Sequence, residues 1–134
     1  MTPTEFIRTL YLGDRACKAI AIDGWNGVVR VQVDTISRVR DASGEWSHYT
    51  QEDIEDGQIV FTGVDSLEMR NDGNLPNDLI NSMEVVEQVG DSSVVEIWID
   101  SVRPDASRVE TLLRVRCKGI HLEDPERPGI RIEA

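Results

Sequence analysis

Apolar positions recur at two different spacings along this chain, and the change between them comes early. Phe6, Ile7, Leu10 and Tyr11 fall three and four residues apart, which lays one apolar stripe along a helix. Thr2 is placed to cap it, Pro3 takes the first helical position, and Glu5 completes a capping box with Thr2. Gly13 ends the pattern, so the helix is expected over about residues 3–12, its apolar face packed onto a sheet.

From Arg15 the spacing drops to two. Residues 16–22 read as a first strand, and Asp23-Gly24 with Asn26-Gly27 marks a tight connection. Val29, Val31 and Val33 then alternate with Arg30, Gln32 and Asp34, the signature of a half-buried strand. Ile36 falls on the wrong parity, which predicts a bulge near Asp34–Thr35 and a strand running on toward Arg40. Residues 41–45 form a turn. Trp46 to Gly57 is acidic and aperiodic and reads as a loop, with room for a helical turn at residues 51–55.

Strands return at Ile59–Thr62 and Leu67–Arg70, with Gly63 as the bend between them and Asn71-Asp72-Gly73-Asn74 as the turn that follows. Met83–Val89 and Val94–Val102 are joined at Gly90-Asp91. The second of these alternates cleanly, with Val95, Ile97 and Ile99 on one face and Glu96, Trp98 and Asp100 on the other. Val109–Gly119 alternates too, Leu113, Val115 and Cys117 facing in and Arg114, Arg116 and Lys118 facing out. If these two strands pair, Glu96 and Asp100 share a face with the three basic residues. Ile130 and Ile132 add a last edge strand.

Together these elements predict an α+β, mainly β fold. A short N-terminal helix packs on an antiparallel sheet curled into a sandwich or open barrel. No segment is long enough for the crossover helix of a parallel sheet. At 134 residues the chain is read as a single domain over 1–134, large enough to bury a core.

Charge changes the picture. Between Asp41 and Val102 stand fifteen acidic residues and a single basic one, Arg70, so that block carries −14, and slightly positive flanks bring the chain to −11. A field this segregated repels polyanions and attracts basic partners, which excludes nucleic acid as the expected ligand. No stretch approaches the ~18 apolar residues of a membrane span. Residues 1–5 lack the basic start and apolar run of a secretion signal, so a cytoplasmic location is expected. Cys17 and Cys117 sit in apolar strand runs and read as buried free thiols in a reducing compartment.

Catalytic chemistry finds no support: there is no nucleophile elbow, phosphate loop, dinucleotide fingerprint or paired-cysteine motif. Asp53, Glu55 and Asp56 are hard oxygen ligands at the wrong spacing for a calcium loop, and His48 and His121 lack companions for zinc, so no metal or other cofactor is expected. His121 is expected to cap the end of a strand. The chain is read as not an enzyme.

Recognition of another protein remains. The segment from Glu45 to Gly57 mixes carboxylates with Trp46, Tyr49 and His48, and such a mixture suits a basic protein surface. Glu52, Asp53, Glu55 and Asp56 supply charge, Trp46 and Tyr49 supply apolar anchors, and Trp98 stands at the centre of the second polar face. The plainer reading is an acidic surface loop and a solvated, ion-paired sheet face.

Several phrases also carry a resemblance. Tyr11-Leu12-Gly13-Asp14-Arg15 follows the helix, Ile54-Glu55-Asp56-Gly57 precedes one strand, and Pro76-Asn77-Asp78-Leu79-Ile80-Asn81-Ser82 precedes another. Leu122-Glu123-Asp124-Pro125 and Pro128-Gly129-Ile130-Arg131-Ile132-Glu133 close the chain. In these the chain resembles a family of small uncharacterised bacterial proteins, over nearly its whole length. The resemblance brings no catalytic motif. By size and charge alone the chain is also similar to immunity proteins of bacterial toxin systems. The expectation is therefore an acidic protein-binding domain, an immunity protein that neutralises a basic toxin partner. The alternatives are a small-molecule-binding β-barrel and a homo-oligomeric subunit.

Overall fold

The computed structural model describes residues 2–38 and 53–133. Helix α1 spans Pro3–Arg8, and its capping box forms as the sequence predicts. Thr2 Oγ1 accepts from the Glu5 N–H at 3.2 Å, and Glu5 Oε2 accepts from the Thr2 N–H at 2.8 Å. The helix is shorter than the expected 3–12. The Thr9 N–H and hydroxyl both turn back to the Phe6 carbonyl, at 3.0 and 2.7 Å, and close the last turn. Leu10–Tyr11 then leave as strand β1, because Arg38 and Ser37 offer them a ladder partner.

Eleven further strands follow: β2 Cys17–Asp23, β3 Val28–Val33, β4 Thr35–Arg38, β5 Asp53–Glu55, β6 Gln58–Thr62, β7 Ser66–Arg70, β8 Ile80–Val89, β9 Ser92–Val102, β10 Arg108–Cys117, β11 Gly119–Glu123 and β12 Arg131–Ile132. All pairings are antiparallel. They build a three-stranded sheet β1-β4-β5, a four-stranded sheet β7-β10-β9-β8 and a five-stranded sheet β12-β11-β6-β3-β2. None of the three closes into a barrel, and the arrangement is consistent with the expected α+β sandwich.

Period-two alternation sets the core. Across the five-stranded sheet, Ile20, Val31, Ile59, Leu122 and Ile132 line up in one row. Across the four-stranded sheet, Met83, Ile97, Leu113 and Met69 form one row, and Val85, Val95, Val115 and Leu67 the next. Phe6 and Ile7 of α1 join the same buried cluster, and Ile36 and Ile54 enter it from the small sheet. Strands with one face buried and one wet read as alternating sequences, which is why this part was predictable.

Three expectations are corrected. The slipped parity at Ile36 is a change of sheet and not a bulge. At Asp34 the chain leaves β3 for β4, and the Asp34 carboxylate holds the corner by accepting from the Ala16 N–H at 3.1 Å and the Thr35 N–H at 2.7 Å. The bulge lies instead in β2, at Lys18, between Cys17 and Ala19. Residues 53–55 are strand and not helical turn, because Ile54 pairs with Ile36 and fills the core.

The expected strand 109–119 is likewise two strands in two sheets. Gly63 and Lys118–Gly119 are the crossing points, side by side, with the Lys118 N–H donating to the Thr62 carbonyl at 2.9 Å. Gly63 has φ +59, and a Cβ there would lie 2.9 Å from the Lys118 side chain, so glycine suits this corner on both counts.

Candidate functional site

Strands β9 and β10 form the centre of the four-stranded sheet, and their outward positions meet in register. Trp98 stands opposite Leu112, with Ser82 on β8 and Arg70 on β7 at the ends of that row. In the next row Glu84, Glu96, Arg114 and Glu68 follow one another across the four strands. Leu112 is only 6% exposed although it faces away from the core, and Trp98 is half-buried. The outer face thus has an apolar centre of two side chains set among charges.

Each guanidinium on this face is already held by a carboxylate. Arg114 pairs with Glu96 at 2.8 Å and with Glu87 at 3.5 Å. Arg70 pairs with Glu68 at 2.7 Å, and Arg116 with Asp65 at 3.5 Å. Arg108 lies 3.6 Å from Asp78 and 3.8 Å from Asp100. Glu84 and Glu110 share this face and make no ion pair among the described residues. On this face the guanidinium groups are therefore paired and the balance of charge is negative.

Of the other residues expected to bind a partner, Trp46, Tyr49 and Glu52 lie outside the described residues. Asp53 and Glu55 lie on the three-stranded sheet and Asp56 directly after it, away from the sheet that carries Trp98. Asp53 and Glu55 flank buried Ile54 and point outward. Asp53 Oδ1 accepts from the Ser37 hydroxyl at 2.6 Å, whose oxygen accepts in turn from Arg15 Nη2 at 3.1 Å. Asp56 pairs with Lys18 at 2.5 Å and follows β5 with φ 53, a left-handed corner that carries the chain into β6.

A second polar face, on the outside of the five-stranded sheet, escaped the sequence reading. Arg30 bonds Glu123 and also donates to Gln58 Oε1 at 3.4 Å. His121 lies beside them in the interior of β11 rather than at a strand end, and is 3% exposed. Its Nε2 has no hydrogen-bond partner and lies 3.7 Å from Glu123 Oε1. Burial, helped by the nearby Arg131 and Arg30, holds its pKa below the ordinary histidine value. Strand parity could have placed His121 beside Val60, but no local signal marks it as buried.

Cys17 and Cys117 are buried free thiols, and burial pushes both up to about 11. Among the described residues no group of three or more His, Cys, Asp or Glu is placed to hold a metal ion. No helix of the described residues is long and apolar enough to cross a membrane.

The model of a family of unknown function, DUF6258, matches residues 1–134. The chain belongs to that family. No curated protein and no solved structure matches the chain. The family assignment agrees with the expected membership of an uncharacterised family and brings no site with it, so the geometry above carries the functional argument.

Proposed function

We propose that this member of DUF6258 is a protein-binding domain that takes a basic partner on the outer face of the four-stranded sheet. Its specific form in this reading is an immunity protein of the cytoplasm that holds a basic toxin inactive. The observation that supports it is the Trp98–Leu112 centre inside a ring of side chains where carboxylates outnumber guanidinium groups. A partner arginine can stack on the Trp98 ring while it pairs with Glu84 or Glu110, which need no release from an existing ion pair. Asp53, Glu55 and Asp56 act at longer range, as part of the −14 block that speeds the approach of a positive surface.

The test compares the tagged chain with Trp98→Ala and with a Glu84→Gln/Glu110→Gln variant, each exposed to a lysate of the source cells at low and high salt. The reading expects one basic protein retained at low salt, released at high salt, and retained less by both variants. Identical retention by wild type and Trp98→Ala contradicts it.

A further inference from the structure

Among the described residues six strand edges bound the three sheets, and five of them are blunted. β1 and β12 are two residues long. β5 carries Asp53 and Glu55, and β7 carries Glu68 and Arg70. β8 is long, but it is interrupted by register shifts after Ile80 and Val85 and carries Glu84 and Glu87. Bulges and charges of this kind are how sheets avoid pairing with other chains.

The sixth edge, β2, is bulged at Lys18 and ends on Asp23, but the run between them carries no charge. Arg15 to Cys17 are closed on the side away from β3 by residues 78–80, through Cys17 N–H to the Asp78 carbonyl at 3.0 Å and Ile80 N–H to the Arg15 carbonyl at 2.9 Å. From Ala19 to Asp23 that side has no strand beside it among the described residues. The four residues Ala19-Ile20-Ala21-Ile22 are uncharged and apolar. Ile22 points to the core side of the sheet yet is 59% exposed, at a cleft it shares with Val64 and Leu67. Trp25, in the turn that follows, is 96% exposed.

We infer that β2 is a pairing edge for a second copy of this chain, joined antiparallel about a two-fold axis through Ala21. The strand is complementary to itself in that arrangement. Its apolar run lies between Lys18 and Asp23, and with Ala21 on the axis Lys18 faces the partner's Gly24 and Asp23 the partner's Ala19, so no like charges meet. Ile20 meets the partner's Ile22 twice on the core side, and Ala21 meets its own counterpart on the other face. Parallel pairing would set Lys18 against Lys18 and Asp23 against Asp23. Of the acids of the middle block, Asp56 stands at the Lys18 end, paired with it at 2.5 Å, and Asp65 lines the cleft beside Ile22, so the uncharged run between them carries the contact. The two five-stranded sheets become one continuous sheet, as isologous contacts of this type require. This inference uses a different sheet from the proposed partner face and stands apart from it.

The experiment measures mass by light scattering at rising protein concentration, in salt high enough to screen the −11 carried by each copy. Wild type is expected to move from monomer to dimer. Ala21→Lys, whose side chain is exposed and outside the core, is expected to stay monomeric with an unchanged melting temperature. Ala21→Cys gives the register: antiparallel partners lie about 4.5–5.5 Å apart between Cα atoms, within disulfide reach, so mild oxidation should link two copies. Ala19→Cys, which faces the partner's residue 23, should link far more slowly. A wild type that stays monomeric, an Ala21→Lys protein that still dimerises, or faster linkage through Ala19→Cys than through Ala21→Cys overturns the inference.

Discussion

Trp98 and Leu112 stand directly opposite each other on β9 and β10, on the face of the sheet turned away from the core. The pairing explains why an outward leucine is 6% exposed: large side chains on the neighbouring strands shield it from water. Trp98→Ala uncovers Leu112 and removes a cross-strand aromatic pair. The expected cost is about 0.2–1 kcal/mol from the pair itself, small enough for the fold to survive. Urea unfolding checks this. A loss several times larger would place Trp98 among the side chains that hold the core together.

The buried face of the same hairpin carries a polar pair. Ser101 and Thr111 are 1% and 0% exposed, and their hydroxyls lie 2.9 Å apart. Thr111→Val leaves the Ser101 hydroxyl buried without its partner, which should cost about 1–3 kcal/mol. Adding Ser101→Ala to that variant should restore part of the stability, because no orphaned hydroxyl remains. Chemical denaturation of the two single variants and the double variant measures the coupling.

His121 makes stability depend on pH. Its folded pKa lies below the ordinary 6.5, so near that pH the unfolded chain binds more protons than the folded one. Stability is complete above about 6.5 and falls as the pH drops through that value. The groups that face the ring are Arg30, Arg131, Glu123 and Glu133. His121→Gln should flatten the slope of stability against pH between neutral and mildly acid conditions, measured by melting temperature in matched buffers. A slope equal to that of wild type contradicts the assignment.

Cys17 and Cys117 should be inert while the chain is folded. With both thiols pushed up to about 11 and buried, almost no thiolate reaches solvent near neutral pH. Alkylation should therefore be slow, and it should accelerate in urea in step with unfolding. Fast labelling in buffer would show an opening that the packing does not account for.

These contrasts show what strand parity could and could not reveal. From Val94 to Asp100 and from Leu112 to Arg116 each step of the alternation is carried by a large apolar or a charged residue, so the inward row, the outward row and their pairing were legible. The sheet changes at Asp34, Gly63 and Lys118–Gly119 were not, because a strand has the same pattern whichever sheet it joins. Strand β5 was missed because three residues with one apolar centre give no period. Helix α1 stopped early because Leu10 and Tyr11 fit a helical stripe and a ladder equally well, and tertiary pairing decided between them. Trp98 was legible as an outward residue. Leu112 has the same parity as Arg114 and Arg116, yet its apolar side chain masks its outward position.

The most direct measurement follows Trp98 itself. In a Trp25→Phe/Trp46→Phe protein it is the remaining tryptophan, and its emission can be followed as the captured basic partner is titrated in at two salt concentrations. Binding that shifts Trp98 emission, and that weakens as salt rises, is the result expected if the outer face of the four-stranded sheet is the interface. Binding that leaves the emission unchanged would contradict the central claim and place the contact elsewhere on the molecule.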